Sequence, residues 1–168
     1  MPHYEIDAES YQFKPFMKIG EEWMLITAGD EDRHNAMTAS WGGIGYLWGK
    51  CVSFIFVRPQ RYTLEFIENS EYFSLSFFGD NQCRKELEFF GTKSGRDFDK
   101  PKETGLTPVL DEKAPYYEEA ELVFICKKLY RQDLIEGVFL DKTIPDVCYP
   151  NKDYHRLFVG EIVKTLVK

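Results

Sequence analysis

Residues Asn35 to Gly43 (NAMTASWGG) combine the residue types best suited to holding a flat ligand. Ala36, Ala39, Gly42 and Gly43 are small enough to leave the backbone open. Thr38 and Ser40 fall on one face of an extended strand and can hydrogen-bond, while Trp41 can stack or form a wall. Backbone N–H donors along such a strand suit a ring with acceptors at several edge positions, such as an isoalloxazine. A barrel strand packed tightly with small side chains explains the same residues equally well, so their types alone leave both readings open.

Two further stretches suit an anion. Arg58, Arg61 and Thr63 lie in VRPQRYT, where a strand gives way to a helix whose first N–H groups accept negative charge. Lys93, Ser94, Gly95 and Arg96 follow a second helix in GTKSGRD; Gly95 permits close backbone approach, Ser94 offers a hydroxyl, and the two cations bracket them. Together these would suit a terminal phosphate monoester. Either cluster alone reads as solvated loop charge.

Nothing in the chain supplies a catalytic apparatus of its own. There is no GxSxG elbow, HExxH helix or P-loop. His3, His34 and His155 are far apart, and none has metal-ligand spacing to a Cys or another His. A metal site would have to be assembled from scattered ligands such as Cys148, Asp153 and His155, so no metal is expected. Chemistry carried by a bound cofactor is the alternative, and it points to redox reactions rather than hydrolysis. A haem-type ligand with His155 as axial group is a further reading of the same residues.

Composition narrows the class. A chain of 168 residues can bury one core without disulfides or a metal. Aromatic residues reach 16%, which suits strands and flat ligands. The 21 basic residues are outnumbered by 28 acidic ones, and the dispersed net charge of -7 argues against nucleic acid as a partner. Met1 to Gly20 has no apolar leader pattern, and no apolar run approaches membrane-spanning length, so a cytoplasmic location without membrane contact is expected. Cys51, Cys83, Cys126 and Cys148 are widely spaced, as free thiols would be.

The elements that must position these residues are mostly strands. Residues 1–20 read as a polar and aromatic arm, and residues 21–168 as one domain. Glu22–Gly29, Ala36–Trp41 (stopped by Gly42-Gly43), Cys51–Val57 and Glu71–Gly79 alternate as strands; Glu121–Leu134 and Arg156–Val167 are two long ones. Thr63–Asn69 is a short helix with Thr63 as N-cap. Asp80 or Asn81 can cap a second helix ending near Gly91, and Thr92–Leu110 reads as loop. The fold class is mainly β, a β-barrel with short helices, because closing or splitting a barrel removes the edges of so many strands.

NAMTASWGG, VRPQRYT, FFGTKSGRD and YHRLFVGEI occur in that order between about Trp23 and Lys164, and the ordered set resembles the flavin reductase-like family, in particular its flavoredoxin branch. The resemblance implies an FMN-binding split barrel and a homodimer with FMN near the subunit interface. It implies that Met37, Thr38, Ala39, Ser40 and Trp41 line the flavin ring and ribityl chain. Arg58, Arg61 and Thr63 would meet the ribityl and phosphate groups, and Lys93 and Ser94 would close over the phosphate. His155 would lie on the substrate side of the flavin. The implied activity is hydride transfer from NADH or NADPH to flavin N5, as in an NAD(P)H:flavin reductase. Electron carriage between redox protein partners, without nicotinamide turnover, is the competing reading.

Overall fold

The computed structural model describes residues 1–79 and 82–168. Among the described residues, ten strands and four short α-helices follow one another as β1 (Tyr4–Ile6), β2 (Met24–Gly29), β3 (His34–Ala39), β4 (Gly42–Leu47), β5 (Lys50–Val57), α1 (Thr63–Asn69), β6 (Tyr72–Phe77), α2 (Arg84–Thr92), α3 (Lys100–Thr104), β7 (Pro108–Val109), β8 (Tyr116–Tyr117), β9 (Leu122–Asp133), α4 (Thr143–Cys148) and β10 (Arg156–Val167). The main sheet is antiparallel, in the order β3-β2-β6-β9-β10-β5-β4, with β1 added to the far half of β10. Its outermost strands, β3 and β4, are consecutive in the chain and joined only by Ser40 and Trp41. The sheet therefore curls until its two ends meet at that junction, giving a barrel split along one seam.

Alternation along the strands divides the core in two. Met24, Ile26 and Ala28 of β2, Phe73, Leu75 and Phe77 of β6, and Leu122, Phe124 and Cys126 of β9 share the barrel interior. The intervening Leu25, Val123 and Ile125 face outward and pack with Leu87 and Phe90 of α2 and with Tyr117. A period of two on strands covered on both sides explains why these segments are rich in Phe, Leu and Ile. Phe13, in the N-terminal segment, sets its ring 5.2 Å from that of Phe77 and 5.7 Å from that of Phe124. The first twenty residues thus contribute both a strand and an interior ring.

Several expectations are corrected. The strand expected over Glu22–Gly29 begins only at Met24, as β2, after Trp23 takes a left-handed φ of 71°. Gly42 and Gly43 do not stop the sheet; they open β4, because a Cβ on Gly42 would stand 2.8 Å from the carbonyl oxygen of Phe54 and only glycine lets β4 lie so close to β5. Trp48 and Gly49, with φ of 55° and 71°, form the tight β4–β5 turn. Thr63 is the first residue of α1, not its N-cap; Tyr62 holds that place without a side-chain bond. Helix α2 runs through Gly91 to Thr92, and the capping role expected of Asp80 or Asn81 lies outside the described residues. The span from Thr92 to Leu110 is more than loop, since it contains α3 and β7.

Candidate functional site

The cleft at the barrel seam gathers most of the residues singled out in the sequence. Met37, Thr38, Ala39, Ser40 and Trp41 form one wall, and Phe56, Arg58, Arg61 and His155 the other, around a space of about 200 Å³. Pairing of Arg156 with Val57 is what sets His155 beside the end of β5. Strand β3 ends the sheet, so one row of its backbone groups has no ladder partner. The Ala36 carbonyl accepts from Lys100, which marks that open edge. Two-residue alternation puts the backbone groups of Thr38 on it as well. The Thr38 hydroxyl donates to the Leu87 carbonyl of α2, so its oxygen remains only as an acceptor.

A second hollow of about 160 Å³ adjoins the first and shares Met37 and Arg61 with it. Its lining brings together Asn35, Thr63, Lys93, Ser94 and Lys100. Arg61 donates to the carbonyls of Gly91 (2.7 Å) and Phe90 at the C-terminal end of α2, and burial lowers its pKa. The Thr63 hydroxyl, 1% exposed, accepts from Asn35 Nδ2 at 2.8 Å. Lys93 is exposed, with its ammonium 5.7 Å from the Phe98 ring. Every residue expected to contact the ligand therefore lies in one of two contiguous hollows.

Other members of the two clusters are engaged elsewhere. Arg58 donates to Asp153 (2.6 Å) and to the Cys148 carbonyl (2.9 Å), and lies 5.0 Å from the Tyr149 ring. Only part of its guanidinium is left for a ligand. Arg96 pairs with Glu65 and covers the Tyr62 ring, so it does not bracket Ser94. The close approach that Gly95 permits is by the side chain of Asn35, whose Oδ1 would stand 2.0 Å from an added Cβ. Lys100 is the residue the sequence reading missed. It lies in Thr92–Leu110, which has no apolar period, although Asp99, Pro101 and Gly105 are helix start and stop signals.

His155 is buried at 7% exposure, with Nδ1 2.7 Å from the Tyr149 hydroxyl and its ring 5.4 Å from that of Trp41. Burial, then the nearby Arg58 charge, lower its pKa to about 4, against a smaller opposing pull from Asp153. The ring is thus neutral at physiological pH. Because the folded value lies below the ordinary 6.5, the unfolded chain binds the proton more readily. The stability contribution of His155 is complete above pH 6.5 and is lost as the pH falls toward 4. The imidazole NMR resonances are expected to titrate near pH 4, and His155→Gln should flatten the acid loss of stability between those values. A midpoint near 6.5 would show that the ring is open to water. Cys148 and Asp153 meet at Arg58, but among the described residues no cluster of three His, Cys, Asp or Glu side chains could hold a metal. Nor is any helix there long and apolar enough to cross a membrane.

Comparison with known proteins bears on this geometry. A comparison with curated protein sequences returns no match. Solved structures with the same fold include the flavoredoxin of Desulfovibrio vulgaris (Miyazaki F), at 21% identity and a TM-score of 0.67 over 98% of this chain and 77% of that one. An FMN-binding domain of a flavin reductases-like enzyme from Shewanella baltica OS155 matches at 17% and 0.69, over 98% and 76%. The NADH:FAD oxidoreductase of Streptomyces globisporus C-1027, in complex with NAD and FAD fragments, matches at 18% and 0.64, over 88% and 74%. Identities this low establish the fold alone. The family model described as the flavin reductase like domain matches residues 16–168, nearly the whole chain, and the chain belongs to the flavin reductase-like family.

Proposed function

We propose that the protein is an FMN-dependent oxidoreductase that accepts hydride from NADH or NADPH. The observation that carries this reading is the continuity of the seam cleft, open along the β3 edge, with a hollow where Lys100 is buried and Arg61 half-buried, neither with a carboxylate partner among the described residues. A flat ring bearing a phosphorylated tail needs both parts in contact, and the residues present fit FMN in that respect.

In this reading the backbone edge and side chains of Met37, Thr38, Ala39, Ser40 and Trp41 hold the ring. Arg58 and Arg61 line the passage between the hollows, and Thr63, Lys93 and Ser94 surround the phosphate. Bound FMN supplies the hydride-accepting N5. The chain's own contribution is to position and exclude. Trp41 and Phe56 wall the cleft, and the neutral His155 adds an uncharged polar group to its lining beside Arg58. Tyr149 fixes the orientation of His155, and Arg58 in turn anchors the 148–153 segment through Cys148 and Asp153.

A homodimer is part of the proposal. The chain between β9 and β10 exposes Ile135 (54%), Val138 (67%), Leu140 (98%) and Val147 (77%) in the same excursion that carries Tyr149 and His155. Apolar side chains left this open suit a covering subunit or a redox protein partner. The four cysteines are free, and the cytoplasmic setting is part of the same proposal. Rapid mixing of the FMN-loaded protein with NADH or NADPH is expected to bleach the visible flavin band within the turnover time. A band that bleaches only with a protein reductant would replace the reductase reading with that of an electron carrier.

A further inference from the structure

The buried bond between the Tyr149 hydroxyl and His155 Nδ1 is made by the shape of one loop. Helix α4 is capped at Tyr149. The Tyr149 carbonyl then accepts from the Lys152 N–H at 2.9 Å, and Lys152 takes a left-handed φ of 55°. That turn reverses the chain and returns His155 to the Tyr149 ring, edge to face with centroids 5.5 Å apart. Tyr149 is 5% exposed and is enclosed further by Tyr154 (5.0 Å), Phe139 (6.0 Å) and the Arg58 guanidinium. These neighbours fix the ring, and with it the position of the hydroxyl.

A neutral imidazole carries its proton on one nitrogen only, and the partner of the other nitrogen decides which. Among the described residues the Tyr149 hydroxyl has no acceptor but Nδ1, so its buried proton is satisfied only by donation to that nitrogen. Nδ1 therefore accepts, and the hydrogen-bond network places the ring proton on Nε2. Nε2 has no protein partner among the described residues and is not sealed from solvent, and the ring lines the seam cleft.

We propose that Tyr149 is a positioning residue that holds His155 in the Nε2–H tautomer, so that the seam cleft presents a neutral hydrogen-bond donor to a carbonyl oxygen of the hydride donor. The inference rests on the hydride-transfer reading above and adds to it the residue that sets the polarity of the cleft. The charges acting on the His155 ring are Arg58, just beyond β5, and Asp153 of the same loop. Arg61 also lines the cleft, Trp41 and Phe56 bring no charge, and burial keeps Tyr149 itself neutral. An imidazole kept neutral in this way bonds a carbonyl without adding a charge to the cleft.

The test reads the nitrogen chemical shifts of the His155 ring in the whole chain, with and without FMN, at about pH 7. Wild type is expected to show a single tautomer, protonated on Nε2. Tyr149→Phe removes the bond that favours the neutral ring and fixes its proton. The variant should show mixed tautomers, and its titration midpoint should move up from about 4 toward the ordinary 6.5. With NADH or NADPH as substrate its KM should rise about three- to tenfold, while kcat and FMN affinity change by less than about twofold. A wild-type proton on Nδ1, or a variant whose shifts, midpoint and KM are those of wild type, would overturn the proposal. If Tyr149→Phe does not fold, the wild-type shifts decide: a proton on Nε2 supports the assignment and one on Nδ1 refutes it. A wild type that neither nicotinamide reduces would remove the hydride reading, and the shifts would still decide whether Tyr149 sets the tautomer.

Discussion

Arg61→Ala is expected to weaken FMN binding by about ten- to a hundredfold while changing riboflavin affinity far less. The argument is one of position and surroundings. Arg61 is shared by both hollows, so it stands where a ring would pass into its phosphorylated tail. Its guanidinium is desolvated, and its nearest acceptors are the Phe90 and Gly91 carbonyls rather than a carboxylate. Charge-assisted hydrogen bonds to an anion in such a place contribute about 1.5–3 kcal/mol each. Riboflavin is the control because the substitution also frees two carbonyls of α2. Structural loosening of that helix end would reduce binding of both ligands alike. Flavin fluorescence titrations separate the outcomes, and equal losses would move Arg61 from ligand contact to scaffold.

Gly160→Val is expected to cost about 1–3 kcal/mol of stability, lowering Tm by several degrees, without changing the FMN affinity of the protein that folds. Gly160 lies in YHRLFVGEI, at a shift of register where β10 pairs with β9. A Cβ there would stand 2.6 Å from Phe73 Cζ, 2.7 Å from its Cε1 and 3.0 Å from Cys126 Cβ. Phe73 and Cys126 are both fully buried, so neither has space into which to retreat. This glycine belongs to the barrel interior and not to the cleft. Thermal unfolding checks it; an unchanged Tm would mean that the Phe73 ring can move aside.

Strands were the most legible part of the sequence where hydrophobic residues alternate. FSLSF in β6 and the ends of β5 and β9 show their two faces directly, because a sheet covered on both sides still sorts side chains by parity. Strand β4 escaped because GGIGYL lacks that alternation. Its glycines serve close approach to Phe54, which no propensity reports. The α3 helix escaped for a different reason: KPKET is polar throughout and has no apolar period, even though its start and stop residues were in plain view.

The candidate site divided along similar lines. Met37 to Trp41 could be picked out because small and hydroxylated residues cluster there, and Lys93 and Ser94 because cations gather in an otherwise acidic chain. Spacing could not reveal that Arg58 would be taken up by Asp153, or Arg96 by Glu65, since those partners are 95 and 31 residues distant. Nor could it reveal Lys100, whose significance comes from burial beside Arg61. The place of His155 at the flavin came only through family resemblance; its neutrality is a product of burial and, after it, of the Arg58 charge.

The most direct test of the account is a visible-absorbance titration of the purified, flavin-free protein with FMN. The account predicts saturable uptake of one FMN per chain, with a perturbed flavin spectrum and quenched fluorescence as the ring enters the seam cleft. A protein that leaves the spectrum and fluorescence of added FMN unchanged at every concentration would contradict it.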